Sequence, residues 1–97
     1  MNQRPDHLET ELPSLTLRSH DRADLAGLVV DLVGRRAVVV NRNGCHYEYR
    51  IWQGLRRSAL ADVVDVVTEE EWWSHRLLGL APLRVVRWPA QAVWVEM

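Results

Sequence analysis

Four histidines and one cysteine are the side chains of this sequence best suited to bind a metal ion or move a proton. His46 directly follows Cys45, and adjacent residues of a strand point to opposite faces, so these two cannot bind one ion together. The other histidines are His7 and His20, in polar segments, and His75, in a helical pattern. No pair has the i, i+4 helical spacing or the C-x-x-C spacing of a metal site. We therefore expect no metal site and no cofactor.

Nucleophilic catalysis finds as little support. Cys45 falls on the core face of a predicted hairpin, where a cysteine acts as a small buried hydrophobic residue. Asp62 and Asp65 lie three residues apart and can share a helical face, but two solvated carboxylates explain them better. The single glycine of residues 41–44 cannot form a phosphate-binding loop. The sequence therefore predicts a protein that is not an enzyme.

Tryptophan is the most informative excess in the composition, with five Trp against two Tyr and no Phe. Trp72 and Trp73 point about 100° apart on a helix, so both are buried only if the helix is covered on two sides. Trp and Arg are also the residues that dominate protein–protein hot spots. Two interpretations stay open: a Trp-rich core that compensates for the absent Phe, and a binding surface. The candidate protein-binding residues are Trp52, Trp72, Trp73 and Trp88.

Arginine supplies all 12 basic residues, and its distribution is uneven. Residues 35–57 contain six Arg and one Glu, a charge of +5, whereas residues 62–71 contain two Asp and three Glu, a charge of −5. Arg beside exposed aromatic side chains binds single-stranded nucleic acid by phosphate contact and stacking. The alternative is a solvated basic sheet face beside an acidic helix start. The candidate nucleic-acid-binding residues are Arg35, Arg36, Arg42, Arg50, Arg56 and Arg57.

A predicted β-hairpin over residues 35–51 positions most of these side chains. Asn43-Gly44 between two β-rich runs predicts a two-residue type I′ turn, because both residues tolerate positive φ. Such a turn places Val38 opposite Tyr49, and opposed residues share a face of the sheet. The predicted core face holds Val38, Val40, Cys45, Tyr47, Tyr49 and Ile51, and the outward face holds Ala37, Val39, His46, Glu48, Arg50 and Trp52.

Residues 68–79 carry the clearest helix signals. Thr68-x-x-Glu71 predicts a capping box, and the three consecutive Glu of the first turn match the helix dipole. Gly79 is the expected C-terminal cap, and Pro82 prevents continuation. The segment therefore predicts one well-capped helix.

The segments on either side of the hairpin predict further strands. Residues 28–33 read as a strand that turns at Gly34 into the hairpin. Residues 53–67 leave two possibilities open: a helical turn at 58–62 followed by a strand at 63–67, or a continuous helix from Arg56. The β-branched valines favour the strand.

The two ends of the chain complete the prediction. Strands at 83–88 and 92–96, joined by a Pro89-Ala90 turn, predict a C-terminal β-hairpin. Residues 14–18 read as a short strand, residues 19–24 as a charged loop, and residues 1–13 as a flexible arm.

The segment from Gly27 to Thr68 resembles a small SH3-like or KOW-like barrel. The resembling features are the run LVVDLV ending at Gly34, then AVVV, a hairpin, YEYRI, a helical turn at SALAD, and VVDVV. Small bacterial modules of that kind bind peptides, other proteins or RNA, although no binding residue carries over to this sequence. We expect one α+β domain over residues 14–97, either a small antiparallel β-sheet or an SH3-like partial barrel, with one capped helix and a C-terminal β-hairpin.

The composition bounds the function. No apolar run approaches the roughly 20 residues that span a bilayer, and the N-terminal residues lack the apolar segment of a secretory signal. One cysteine allows no internal disulfide, which agrees with a reducing, cytoplasmic location. The Lys-free, Arg-rich composition indicates a GC-rich bacterial or phage genome. We expect a small non-catalytic protein–protein interaction or regulatory domain that binds a protein partner or forms a homo-oligomer away from membranes, with nucleic-acid binding as the alternative.

Overall fold

An open antiparallel sheet organises the chain in the computed structural model, which describes residues 19–40 and 42–97. The predicted arm at 1–13 and strand at 14–18 lie outside the described residues. The strand order is β1-β6-β2-β3-β4-β5, and the edge strands β1 and β5 do not pair with each other, so the sheet is not closed. The α+β class is confirmed, whereas a closed barrel is not. The elements are β1 (His20–Arg22), α1 (Ala23–Ala26), β2 (Arg36–Val40), β3 (His46–Arg57), β4 (Asp62–Val67), α2 (Glu69–Leu78), β5 (Val86–Pro89), a 3-10 helix (Ala90–Ala92) and β6 (Val93–Glu96).

One face of the sheet, here called the inner face, holds the core. Alternate valines of β4 and β6 are completely buried on it, together with Ile51 of β3. Ala23 and Ala26 of α1 and Leu32 of the following turn cover this face. In β6 this alternation buries every second side chain, as expected where one face is solvated, whereas β4 is buried at every position from Val63 to Val67.

The predicted strand at residues 28–33 is wrong. Val29 donates to the carbonyl of Ala26 at 3.1 Å, and Val30 donates to the same carbonyl at 3.0 Å, so local turns satisfy this backbone. The edge of β2 that such a strand would need is taken by β6, with Ala37 opposite Val95. The predicted loop at 19–24 is likewise wrong, because these residues enter β1, which pairs with β6, and α1.

The β2–β3 hairpin exists, but its predicted register and turn are wrong by one residue. Val38 lies opposite Glu48 instead of Tyr49. Gly44 has a φ of 83°, and no described non-glycine residue has a positive φ, so Asn43-Gly44 is not a type I′ turn. The connection between β2 and β3 is therefore longer than a two-residue turn.

The shift of register exchanges the two faces of β2. Ala37 and Val39, predicted outward, are each 1% exposed on the inner face, whereas Val38 lies on the outer face. The alternation of β3 is as predicted, since Tyr49 and Ile51 contact the core while Arg50 points outward. Cys45, predicted in the core, is exposed, because the longer connection lifts it beyond the paired strands.

Residues 53–67 contain the end of β3, a connection and the whole of β4, with no helical turn. The strand at 63–67 is confirmed within β4, while β3 extends to Arg57. Ser58 donates its N–H to the carbonyl of Ala61 at 3.0 Å, which is the reverse of the helical direction and closes a hairpin. Both helical interpretations of this segment are therefore wrong.

The predicted C-terminal β-hairpin is also wrong. β5 pairs with β4, and β6 pairs with β1 and β2, at opposite sides of the strand order. The 3-10 helix between them buries Ala90 completely, so the chain turns under the inner face instead of reversing beside β5.

Helix α2 is confirmed with both of its caps. The Thr68 hydroxyl accepts a hydrogen bond from the N–H of Glu71 at 3.1 Å, and Gly79 adopts the left-handed conformation at φ 73°. The capping box is only half formed, because the Glu71 carboxylate accepts hydrogen bonds from the N–H groups of Leu83 and Arg84 at 3.0 and 3.2 Å. Glu71 thus fixes the loop after the helix instead of the helix start.

Candidate protein-binding site

Strand β3 and helix α2 bring three of the five tryptophans together on the outer face. Arg50 and Trp52 are two residues apart on β3, so both point outward toward α2. The first turn and a half of α2 supplies the other members. We call this group the Trp–Arg cluster; it consists of Arg50, Trp52, Glu69, Trp72 and Trp73.

Arg50 links the sheet to the helix. Its Nε and Nη2 groups donate to the two carboxylate oxygens of Glu69 at 2.9 and 2.8 Å, and Nη1 donates to the carbonyl of Gly34 at 2.9 Å. The guanidinium carbon lies 5.3 Å from the centre of the Trp73 ring, and Trp73 Nε1 donates to Glu69 at 2.7 Å. One charge-assisted hydrogen bond and a cation–π contact therefore hold the Trp73 ring in place.

The same contacts shift two ionisation equilibria. The hydrogen bonds from Arg50 lower the pKa of the Glu69 carboxyl, and the Trp73 N–H lowers it further, while partial burial opposes both. Hydrogen bonding to Glu69 raises the pKa of Arg50 above its ordinary value. Both groups therefore stay charged through the neutral range, and the link between sheet and helix persists there.

Trp72, unlike Trp73, packs against the sheet. Its ring meets Trp52 edge to face, with centroids 6.2 Å apart, and His75 meets Trp52 in the same way at 4.8 Å. Gly34 approaches so closely that a Cβ there would lie 3.0 Å from the Trp72 ring. Trp52 and Trp72 thus form the contact of α2 with the sheet.

The other side of α2 is uncovered. None of its ten residues is buried, and Trp73 is 42% exposed. Leu77 and Leu78 are 74% and 70% exposed, and the loop after the helix adds Leu80 at 55% and Leu83 at 94%. We call these five residues the α2 apolar surface. Contiguous exposed apolar side chains of this kind mark interaction sites on soluble proteins.

A groove of about 550 Å³ borders the α2 apolar surface. One wall is the first half of α2, with Glu70 and Ser74, and the other is the loop with Leu80 and Leu83. The Glu71 carboxylate accepts hydrogen bonds from two N–H groups of this loop, so hydrogen bonds join the two walls of the groove.

Trp88, the fourth predicted tryptophan, does not belong to this site. It lies opposite Val64 on β5 and packs against the core. Its buried Nε1 has no hydrogen-bond partner among the described residues. Trp88 therefore fits the core interpretation, whereas Trp52, Trp72 and Trp73 lie together on the outer face.

The leucines of the α2 apolar surface are the residues that the sequence prediction missed. A signal was present, because Leu77 and Leu78 are adjacent and point about 100° apart on a helix, wider than one buried stripe can hold. A helix with apolar residues on that many sides needs a second contact surface.

The six predicted nucleic-acid-binding arginines do not form one surface. Arg56 pairs with Asp65 at 3.0 Å, and Arg50 is engaged by Glu69. Arg57 pairs with Asp62 at 3.2 Å. Arg57 is seven residues from Arg50, about 23 Å along β3 at roughly 3.3 Å per residue. Arg35, Arg36 and Arg42 make no ion pair with a carboxylate of the described residues. Arg35, Arg36 and Arg50 line a polar cleft with Ser19, Glu96 and Met97.

No protein-family model, curated protein or solved structure matches this chain. Within residues 19–40 and 42–97, no three His, Cys, Asp or Glu side chains are grouped as metal ligands. Neither described helix has the length and apolar character needed to cross a bilayer.

Proposed function

We propose that this chain is a small non-catalytic interaction domain that binds protein through the α2 apolar surface. The observation that carries the proposal is that α2 buries no residue while Leu77, Leu78 and Leu83 are mostly exposed. Burying a leucine side chain is worth about 2 kcal/mol, so covering several of them supplies the free energy of a stable complex.

Preorganisation of Trp73 supports the same surface. Immobilising a mobile side chain on binding costs about 1 kcal/mol, and the contacts with Arg50 and Glu69 already fix this ring. A rigid aromatic anchor beside exposed leucines is typical of protein–protein hot spots.

The fold supports an SH3-like interpretation within this proposal. Strands β2, β3, β4 and β5 form a meander around the core, and the 3-10 helix carries the chain from β5 to β6, which pairs with β2. Helix α2 is inserted between the last two strands of that meander. The Lys-free, Arg-rich composition extends the proposal to a regulatory role in the cytoplasm of a bacterial or phage-infected cell.

The proposal is tested with a tagged full-length chain and two matched variants. Leu77→Ser/Leu78→Ser removes two side chains of the surface, and Leu60→Ser removes a leucine that is 97% exposed in the β3–β4 turn. We expect chemical crosslinking and quantitative mass spectrometry in the native cell to show at least a tenfold loss of captured protein for the double variant alone. Equal capture by all three chains would contradict the proposal.

Nucleic-acid binding is the alternative function, and one observation favours it. Arg36 lies directly opposite Arg50 and lines the same cleft, where only Arg50 has a bonded carboxylate among the described residues. Phosphate binding there would weaken steeply with salt, because bound counterions are released. Failure of Arg36→Glu to change the retention of the chain on single-stranded DNA at low salt would exclude this site.

A further inference from the structure

We propose that the protein bound at the α2 apolar surface is a second copy of this chain, with its α2 antiparallel to the first across a two-fold axis. The inference rests on the proposed function, because both need α2 as the interface. It adds the identity of the partner and the geometry of the pair.

The shape of the surface is self-complementary. The second half of α2 projects Leu77 and Leu78, and the first half borders the groove between Glu70 and Leu83. A two-fold interface brings one patch against itself, so projections of one copy must meet depressions of the other. An antiparallel arrangement meets that requirement, since it lays the second half of each helix over the first half of its partner.

The spacing along the helix places the axis near Ser74. Leu77 and Leu78 follow Ser74 by three and four residues, about 5 and 6 Å along the helix at 1.5 Å per residue. Glu71 and Glu70 precede it by the same numbers. An axis at Ser74 therefore brings the two leucines of one copy level with the groove walls of the other, where Leu80 and Leu83 supply apolar contacts.

Charge distribution favours the antiparallel orientation. The first turn of α2 is acidic and the last turn carries His75 and Arg76. Antiparallel packing separates the acidic first turns of the two helices and opposes their dipoles favourably. Parallel packing would set like charges side by side.

Sedimentation equilibrium of the full chain over a wide concentration range tests the pair. We expect twice the monomer mass for wild type and for Leu60→Arg, and the monomer mass for Leu77→Arg and for Ser74→Trp, which fills the groove. Both positions are outside the core, so circular dichroism should show all four chains folded. A monomeric wild type, or a dimer that survives Leu77→Arg, would overturn the proposal.

Disulfide formation tests the orientation in a Cys45→Ser background. An antiparallel pair with its axis near residue 74 brings the two copies of that residue together and separates the two copies of Glu70 by about 12 Å along the helices. Ser74→Cys should therefore crosslink under mild oxidation and Glu70→Cys should not, whereas a parallel pair would crosslink both. Equal crosslinking of both would overturn the antiparallel pair. A monomeric chain whose capture of another protein still depends on Leu77 and Leu78 would overturn the second copy and leave the proposed function standing.

Discussion

The two helices of this domain are held by different forces. Helix α1 has four residues, and two of them, Ala23 and Ala26, are 0% and 3% exposed in the core. Helix α2 has ten residues, none of them buried, and it is fixed by its caps and by the Trp–Arg cluster. Core packing thus stabilises α1, which is too short to be stable alone. The caps and the Trp–Arg cluster stabilise α2 and leave one apolar side of it exposed.

This difference separates stability from binding. The completely buried core lies on the inner face, and the exposed apolar side chains of α2, Trp73, Leu77 and Leu78, contribute little to folding because water still surrounds them. Substitutions on the two sides should therefore differ strongly in their effect on the free energy of unfolding, which makes the comparison measurable.

The largest expected difference is between two aliphatic truncations. Ile51→Ala opens a cavity at a completely buried position and should lower the free energy of unfolding by about 3 kcal/mol. Leu77→Ala removes a side chain that is 74% exposed and replaces it with the best helix former, so its effect should stay within about 0.5 kcal/mol. Urea denaturation of dilute protein measures both.

Protein concentration provides the control for this pair of variants. If α2 is buried between two copies, the effect of Leu77→Ala should grow with concentration, whereas that of Ile51→Ala should not. A large, concentration-independent loss for Leu77→Ala would show that α2 packs within the monomer.

The next effect tests the junction between α2 and the sheet. Gly34 and Gly44 both have positive φ, at 87° and 83°, and differ in surroundings. A Cβ at Gly34 would lie 3.0 Å from the Trp72 ring, whereas nothing lies within 4 Å of one at Gly44. Gly44→Ala should cost about 1 kcal/mol for its backbone alone, and Gly34→Ala about 2 kcal/mol, because Trp72 must also move.

The difference between the two glycine variants therefore measures the packing of Trp72. In Gly34→Ala we expect the fluorescence emission of the tryptophans to shift as well, since the edge-to-face contact with Trp52 is disturbed. Equal losses of stability for the two variants, with unchanged fluorescence, would mean that Trp72 does not pack against Gly34.

The comparison of the helices also explains which elements the sequence predicts. The caps of α2 are local, since Thr68 and Gly79 act through bonds within four residues, and they are where they were predicted. Helix α1 and strand β1 have no such local signal and depend on β6, which is more than 60 residues away. Elements of that kind cannot be read from their own residues.

The hairpin shows a second limit. The alternation of β3 is encoded in its own residues, but the register of β2 depends on the loop, and a register shift of one residue exchanges its faces. Residues 37–40 are too uniformly apolar to oppose that shift, because Ala37 and Val39 suit the core as well as Val38 and Val40 do. The C-terminal β-hairpin was predicted wrongly for a similar reason, because Ala90 is as compatible with a buried 3-10 helix as with a turn.

The candidate site was predicted in part. Trp52 of β3 and Trp72 and Trp73 of α2 were predicted from their residue type. In the structure Trp52 contacts Trp72, and Trp73 is the next residue of α2. The exposed leucines follow only from the position of α2 on the sheet, because a leucine in a sequence is by default a core residue. Trp88 was chosen by the same argument from type and lies on the inner face.

The smallest expected effect concerns the contact between Arg50 and Glu69 and is measured as the pH dependence of stability. The pKa of Glu69 is lowered in the folded chain from its ordinary value of 4.5 by hydrogen bonds from Arg50. Its contribution is therefore fully present above about pH 4.5 and is lost as the pH falls through the lower folded value. Because the Glu69 side chain is 48% exposed, solvent screening limits the contribution to roughly 0.5 kcal/mol.

Glu69→Gln should thus be less stable than wild type at pH 7, and the gap should close as the pH falls below 4.5. Glu70→Gln is the matched control, because it also removes a carboxylate from the first turn but breaks no hydrogen bond within the described chain. Subtracting its effect removes the helix-dipole contribution. If the two variants behave alike at every pH, the link between Arg50 and Glu69 does not hold α2 on the sheet. The contact of Trp72 with Trp52 and Gly34 would then be its main attachment, and the orientation of the α2 apolar surface would depend on that contact.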